Sequence, residues 1–420
     1  MTLSQKTLAS GLKVVVDALP HVETAAVGVY VPVGTRNEEA SAHGLSHLLE
    51  HMAFKGTATR SAREIAEEIE AVGGYLNAYT GYTETAYYAR VLKEDVGLAI
   101  DLLGDILARS AFAPDELERE RSVIIQEIRH AEETPDDIVF DHLQSVAFGG
   151  QALGRSVLGT AASVSEIARE DIVAYMKAHY TADRALLVAT GAVEADEIFT
   201  LATRALGGLP ATGPAPRHEP AIFTGGLKHD ARDIEQLHLA LGLPGVPITD
   251  ERFFAQGALA EILGGGMSSR LFQKVREERG LAYSVYSFAR SFNDGGLFGV
   301  YAGIDPENLE TTLDLVVGEI EALTREVGPA ELQRAKAQMK SALLRARETT
   351  GGRMEALAED MLRFQRVVPV SEIVARIERV DEGTVRASAA RLLRAGAPAL
   401  AVVGAGEAER AFETSRRRFS

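Results

Sequence analysis

Residues 207–220 read Gly207-Gly208-Leu209-Pro210-Ala211-Thr212-Gly213-Pro214-Ala215-Pro216-Arg217-His218-Glu219-Pro220, with four prolines and three glycines in fourteen positions. Proline lacks an amide hydrogen and fixes its own backbone angle, so such a run sustains neither a helix nor a central strand. It reads as a semi-extended linker. The run stands at the middle of a 420-residue chain. Each flank therefore holds roughly 200 residues, a domain's worth. The division expected is a first domain over 1–206, a linker over 207–222 and a second domain over 223–420.

The flanks repeat each other. Ala113-Pro114-Asp115-Glu116-Leu117 opens a helical stretch in the first, and Gly328-Pro329-Ala330-Glu331-Leu332 opens one in the second. Both halves end in an apolar run into glycine, Ala185–Gly191 and Ala399–Gly404. The step from Gly191 to Gly404 is nearly the step from Pro114 to Pro329. A nearly constant offset through several elements is the mark of a duplicated domain. Within the first half, Ala25, Val27, Val29 and Val31 alternate as in a strand. Ser61-Ala62-Arg63-Glu64 is a capping box before a helix carrying Ile65, Ile69 and Val72. Tyr75–Tyr79 and Thr85–Leu92 read as a hairpin, and long helices follow over about 94–108 and 114–132. Clustered strands and runs of helices give α+β, not strict βαβ alternation. The expectation is two homologous domains, each a mostly antiparallel sheet flanked by helices.

Composition narrows the function. Forty-four Lys and Arg stand against 60 Asp and Glu, a formal charge of −16. That argues against nucleic acid and against an anionic membrane surface as partners. The absence of Cys removes disulfides, thiolate nucleophiles and Cys-ligated metals. Any metal must be held by His and carboxylates. The opening Met1-Thr2-Leu3-Ser4-Gln5-Lys6 does not look like a secretory signal, and no apolar window is long enough to span a bilayer. A cytoplasmic protein is the expectation, with the periplasm left open.

The chemistry is concentrated in His47-Leu48-Leu49-Glu50-His51. On a helix, His47 and His51 stack on one face, and Glu50 projects from nearly the same face. Two imidazoles and a third ligand from elsewhere make a zinc site with an open position for water, which a nearby carboxylate can deprotonate. The order H-x-x-E-H inverts the commoner H-E-x-x-H. The plainer alternative is a pair of partly exposed helix histidines around a solvated glutamate. A third ligand should be a carboxylate on another helix. In Glu118–Ile128, Val123, Ile124 and Ile128 form an apolar stripe, with Glu127 beside it and Glu120 two turns earlier on the same face. Taken alone, Glu127 reads as a solvated carboxylate on an acidic helix.

HLLEH, followed well downstream by Glu127 in ERERSVIIQEI, resembles the pitrilysin family of zinc peptidases. The stretch 140–160, FDHLQSVAFGGQALGRSVLGT, is similar to the processing-peptidase branch and its small bacterial relatives. The resemblance covers nearly the whole chain. It implies one zinc ion per chain held by His47, His51 and Glu127, with Glu50 as general base on the zinc-bound water. Glu120 would be a second carboxylate beside the site. Leu76-Asn77-Ala78-Tyr79-Thr80 matches the family's substrate-binding edge strand, where a peptide backbone is added through Asn77 and Ala78. Arg276 and Tyr283, on either side of Gly280, resemble the family's Arg/Tyr pair, which hydrogen-bonds the scissile carbonyl.

Shifting the metal positions by the repeat offset lands on Ala260, Leu263 and Gly264, and Glu127 lands on Ala342. Only the first half can hold the metal. The function expected is a zinc endopeptidase acting on short or unfolded peptides. It is expected as a homodimer, the alternative being a heterodimer with an inactive relative. Two rivals stand beside it. One is a non-catalytic core or assembly subunit of the same fold. The other is a zinc amidase with a non-peptide substrate.

Overall fold

Ala25, Val27, Val29 and Val31 point to one core, while Ala26 and Tyr30 point to a second on the opposite side of the same strand. A strand apolar on both faces must lie inside a sheet covered on both sides. The computed structural model describes residues 2–419 and bears this out. The chain forms two units, and each holds one sheet.

The first unit comprises residues 1–129, 156–219 and 345–367. Its strands are β1 (Thr2–Thr7), β2 (Lys13–Ala18), β3 (Thr24–Val31), β4 (Tyr75–Thr80), β5 (Thr85–Leu92) and β6 (Leu186–Gly191), in the order β1-β2-β6-β3-β5-β4. Only β2 and β6 run parallel; the other neighbours are antiparallel. The helices α1 (Leu45–Ala53), α2 (Ala62–Ala71), α3 (Val96–Ala108) and α4 (Pro114–Glu133) add to the core on one face. The helix Thr350–Phe364 covers the other face through Met354, Leu357 and Met361. Thr349 caps it by accepting from the Gly352 amide, Arg353 Nε donates to Asp17 Oδ2 at 2.8 Å, and Thr190 Oγ1 donates to the Thr350 carbonyl at 2.6 Å.

The second unit comprises 130–155, 220–344 and 368–420. Its strands β7 (Gly226–Asp230), β8 (Leu237–Pro244), β9 (Ala282–Ser291), β10 (Gly296–Ile304) and β11 (Ala399–Val403) take the order β7-β11-β8-β10-β9. Here β7 and β11 run parallel, as β2 and β6 do in the first unit, and the other neighbours are antiparallel. This reproduces β2-β6-β3-β5-β4 of the first unit, so the duplication seen in the sequence is a duplication of topology. The helix α5 (Pro135–Ala147) packs against β7, β8 and β11 of this sheet.

The units are thus not the two contiguous flanks of the linker. Each sheet takes one covering segment from the other half of the chain, 130–155 in one direction and 345–367 in the other. The two segments begin one repeat offset apart, the same step that separates Pro114 from Pro329. Among residues 207–225 no regular element is assigned, as the prolines require.

Candidate metal centre

Helix α1 has nine residues, too few to hold its shape alone in water. Leu45, Leu48, Leu49 and Met52 recur at helical spacing and are at most 2% exposed. Burying each such side chain contributes about 1.5–3 kcal/mol, which holds the helix to the core. Its N-terminus is closed by Glu38, whose oxygens accept from the Gly44 amide at 2.8 Å and the Ser46 amide at 2.6 Å. Gly44 enters the helix with φ +95°, and a Cβ there would stand 2.9 Å from both Gly159 Cα and Leu158 O. Glycine is therefore required at this entry.

The opposite stripe of α1 carries the chemistry. The His47 and His51 ring centroids lie 4.7 Å apart. Glu127, on α4, puts Oε2 3.8 Å from His47 Nε2 and 3.6 Å from His51 Nε2. One ligand atom from each of the three falls within 4.8 Å of the others. Donors around a tetrahedral zinc ion stand roughly 3.3 Å apart, so this set closes on an ion with small side-chain movements. Two imidazoles and a carboxylate are also the donor types zinc takes. Burial, helped by the nearby His51, pushes His47 down to about 4. It is then unprotonated at neutral pH and free to ligate.

That depression has a sign. Between pH 6.5 and 4 the unfolded chain holds a proton on His47 that the folded chain lacks, so folding stability falls as the pH is lowered. Metal-free protein is expected to lose up to about 3 kcal/mol across this window, at about 1.36 kcal/mol per pKa unit. Denaturant midpoints at several pH values check this, and His47→Gln should flatten the slope.

Glu120 is buried in the interior stripe of α4 with Leu117, Ile124 and Ile128. Its Oε2 lies 3.0 Å from His51 Nδ1 and its Oε1 lies 2.8 Å from Lys55 Nζ. Val123, read from sequence as part of this stripe, is instead 39% exposed. It stands about 100° around the helix from Ile124, outside the arc spanned by positions 117, 124 and 128. Lys55 was not singled out by the sequence reading. Its signal was its position one helical turn beyond His51.

Glu50 faces the Thr80 hydroxyl and amide. Burial pushes its carboxyl up, offset in part by the Thr80 hydrogen bonds and by His51, with Glu127 adding to the rise. Thr80 is the last residue of β4, and its hydroxyl also donates to the Ser46 carbonyl at 3.4 Å. β4 ends the sheet order, with β5 as its one strand neighbour among the described residues. On it the Ala78 amide donates to Asn77 Oδ1 at 2.9 Å, and Asn77 Nδ2 donates to Tyr75 Oη at 2.6 Å.

Arg276 and Tyr283 belong to the second unit. The guanidinium sits 5.0 Å from the Tyr283 ring centre, and Tyr283 is 78% exposed. In the same unit Ala260, Leu263 and Gly264 lie on the helix Phe253–Gly264, the counterpart of α1. A Cβ on Gly264, the counterpart of His51, would stand 2.4 Å from the Ser287 amide nitrogen. Packing against β9 therefore closes that position to any ligand.

The profile described as insulinase, peptidase family M16, matches residues 13–161, and that of the peptidase M16 inactive domain matches 166–339. The chain belongs to the M16 peptidase family. The helices that carry His47, His51 and Glu127 fall in the first match, and Ala260 to Gly264 fall in the second. A Rickettsia felis protein named as an uncharacterized zinc protease is 39% identical over 89% of this chain and 90% of its own length. Another so named, YmxG of Bacillus subtilis, is 36% identical over 90% and 93%. An Arabidopsis thaliana protein named "Probable mitochondrial-processing peptidase subunit beta" is 37% identical over 90% of this chain and 74% of its own. The crystal structure of a protease from Helicobacter pylori superposes with a TM-score of 0.89 at 21% identity, covering 96% of this chain and 99% of the other. At that identity the likeness speaks for the fold. Among the described residues, no helix of this M16 chain is long and apolar enough to cross a membrane.

Proposed function

We propose that this chain is a zinc-dependent endopeptidase cleaving short or unfolded peptides. The observation that carries the reading is the convergence of His47, His51 and Glu127 on one point. Thr80 couples the edge strand β4 to Glu50 beside that point. His47, His51 and Glu127 would hold the ion. When bound, zinc supplies Lewis acidity, drawing the pKa of water toward about 7 and polarising a carbonyl.

The protein's own groups do the rest. β4 offers its open edge to an extended peptide, through the backbone at Asn77 and Ala78, without regard to side-chain sequence. Glu50, raised by burial, takes the proton of the attacking water and hands it to the departing amine. Glu120 holds His51 through Nδ1. The same reading gives Arg276 and Tyr283 the carbonyl oxygen. Arg276→Ala and Tyr283→Phe are then expected to lower kcat by about 10²–10³, the usual loss of one oxyanion donor, with zinc content unchanged. Single-turnover kinetics beside metal analysis check this. A dimer of this chain is part of the proposal, and light scattering of the purified protein tests it. The function as a whole is tested by digesting a peptide panel with and without chelator. Cleavage that persists in full after the metal is stripped would defeat it.

A further inference from the structure

We propose that Lys55 is a positioning residue of the metal centre, holding Glu120 so that Glu120 in turn fixes the ring of His51. The inference rests on the reading above, that His47, His51 and Glu127 hold zinc. Its basis is how one buried carboxylate divides its oxygens. Oε1 of Glu120 pairs with Lys55 Nζ at 2.8 Å, while Oε2 meets His51 Nδ1 at 3.0 Å. The Glu120 side chain is 7% exposed. A carboxylate so buried needs a compensating cation. Among the described residues, Lys55 is the cation in contact with it. An exposed Lys–Glu pair contributes little, about 0–1 kcal/mol, but removing the cation from a buried carboxylate is far more disruptive.

Geometry then transmits the effect. With Oε1 tethered by Lys55, Oε2 is aimed at His51 Nδ1. A hydrogen bond there keeps Nδ1 as the donor and leaves Nε2 unprotonated, facing Glu127 at 3.6 Å. Without the tether the carboxylate can turn away, and His51 loses its fixed orientation.

Lys55 is itself held from both sides. Its amide donates to the Met52 carbonyl at 3.2 Å as α1 ends. Gly56 then reverses the chain with φ +108°. Beyond it, Thr57 Oγ1, Thr59 Oγ1 and Arg60 Nη1 all donate to Asp105 Oδ2, at 2.7, 2.8 and 3.0 Å. Arg109 Nε donates to Oδ1 at 2.6 Å. Asp105 is fully buried. Burial alone would raise its pKa, but the bonds from Thr57, Arg109, Thr59 and Arg60 bring it down to about 2. The turn after α1 is thus pinned to the core by a permanent charge, and Lys55 lies between that anchor and the metal helix.

The test is a double-mutant cycle read as zinc affinity, by competition with a chromophoric chelator on the full chain. Outer-sphere partners of metal ligands are worth about 10–100-fold in affinity. Lys55→Met and Glu120→Gln should each weaken zinc binding by about that factor, the double variant should be no weaker than Glu120→Gln, and Lys55→Arg should recover most of the loss. Denaturation of the metal-free variants, run alongside, separates positioning from folding. If Lys55→Met proves unstable, Lys55→Arg against Glu120→Gln still decides the question. Zinc affinity unchanged in Lys55→Met, or losses that multiply in the double variant, would overturn the proposal. Wild-type protein that binds no zinc would remove the functional reading and this one together. Tight zinc in both wild type and Lys55→Met would remove this one alone.

Discussion

Glu50→Gln is expected to lower peptide hydrolysis by at least about 10²–10⁴-fold, the usual worth of a general base, with zinc still bound at one ion per chain. Glutamine keeps the volume of the side chain and its hydrogen-bonding partnership with Thr80, but it cannot take a proton. Glu50 is not among the three converging donors, so the metal should stay. The wild-type carboxyl is pushed up by burial, which suits a base that must also return its proton. Turnover and metal content measured on one preparation decide the matter. Activity close to wild type would remove Glu50 from the proton transfer, and a variant that lost zinc would make it a structural support of the site.

Glu127→Ala should behave in the opposite way. It removes the one carboxylate that faces both imidazoles, at 3.8 and 3.6 Å. Among the described residues, no other carboxylate gathers with the two histidines in such a group. Zinc affinity should fall by more than the roughly 100-fold that marks the upper end for outer partners, and cleavage should fall with it. The fold should survive, because the Glu127 side chain is 42% exposed and stands outside the buried stripe of α4. Atomic emission on dialysed protein, with a thermal melt of the metal-free form, checks both halves. Zinc retained at one equivalent in this variant would move the third ligand elsewhere.

The sequence carried much of this because its strongest signals are local. The spacing of Leu45, Leu48, Leu49 and Met52 sets one face of α1 against the core, and the same spacing turns His47, Glu50 and His51 together. The alternation in β3 and the capping box at Ser61 are equally short-range, and both stand in the structure. The repeat offset carried further still, because it pairs β3 with β8 and β6 with β11.

What the sequence hid depends on contacts distant along the chain. A proline-rich linker announces a break, but not that 130–155 and 345–367 each cover the sheet of the opposite half. Which sheet a helix covers is decided by tertiary packing, and amphipathicity alone is silent on the partner. Val123 was misplaced because one residue's rotation separates a stripe from its rim. Lys55 drew no notice because an isolated lysine after a helix is ordinary. Its meaning lies in Glu120, on a helix far along the chain.

A zinc titration puts metal, ligand set and activity into one experiment. Chelator-stripped protein is titrated with zinc while cleavage of a fluorogenic peptide is followed. Activity should be absent at the start, rise linearly and break at one equivalent per chain, with no rise at all in Glu127→Ala. Full activity in the stripped protein, or a rise of equal size in Glu127→Ala, would mean that the reaction does not run through a metal held by His47, His51 and Glu127.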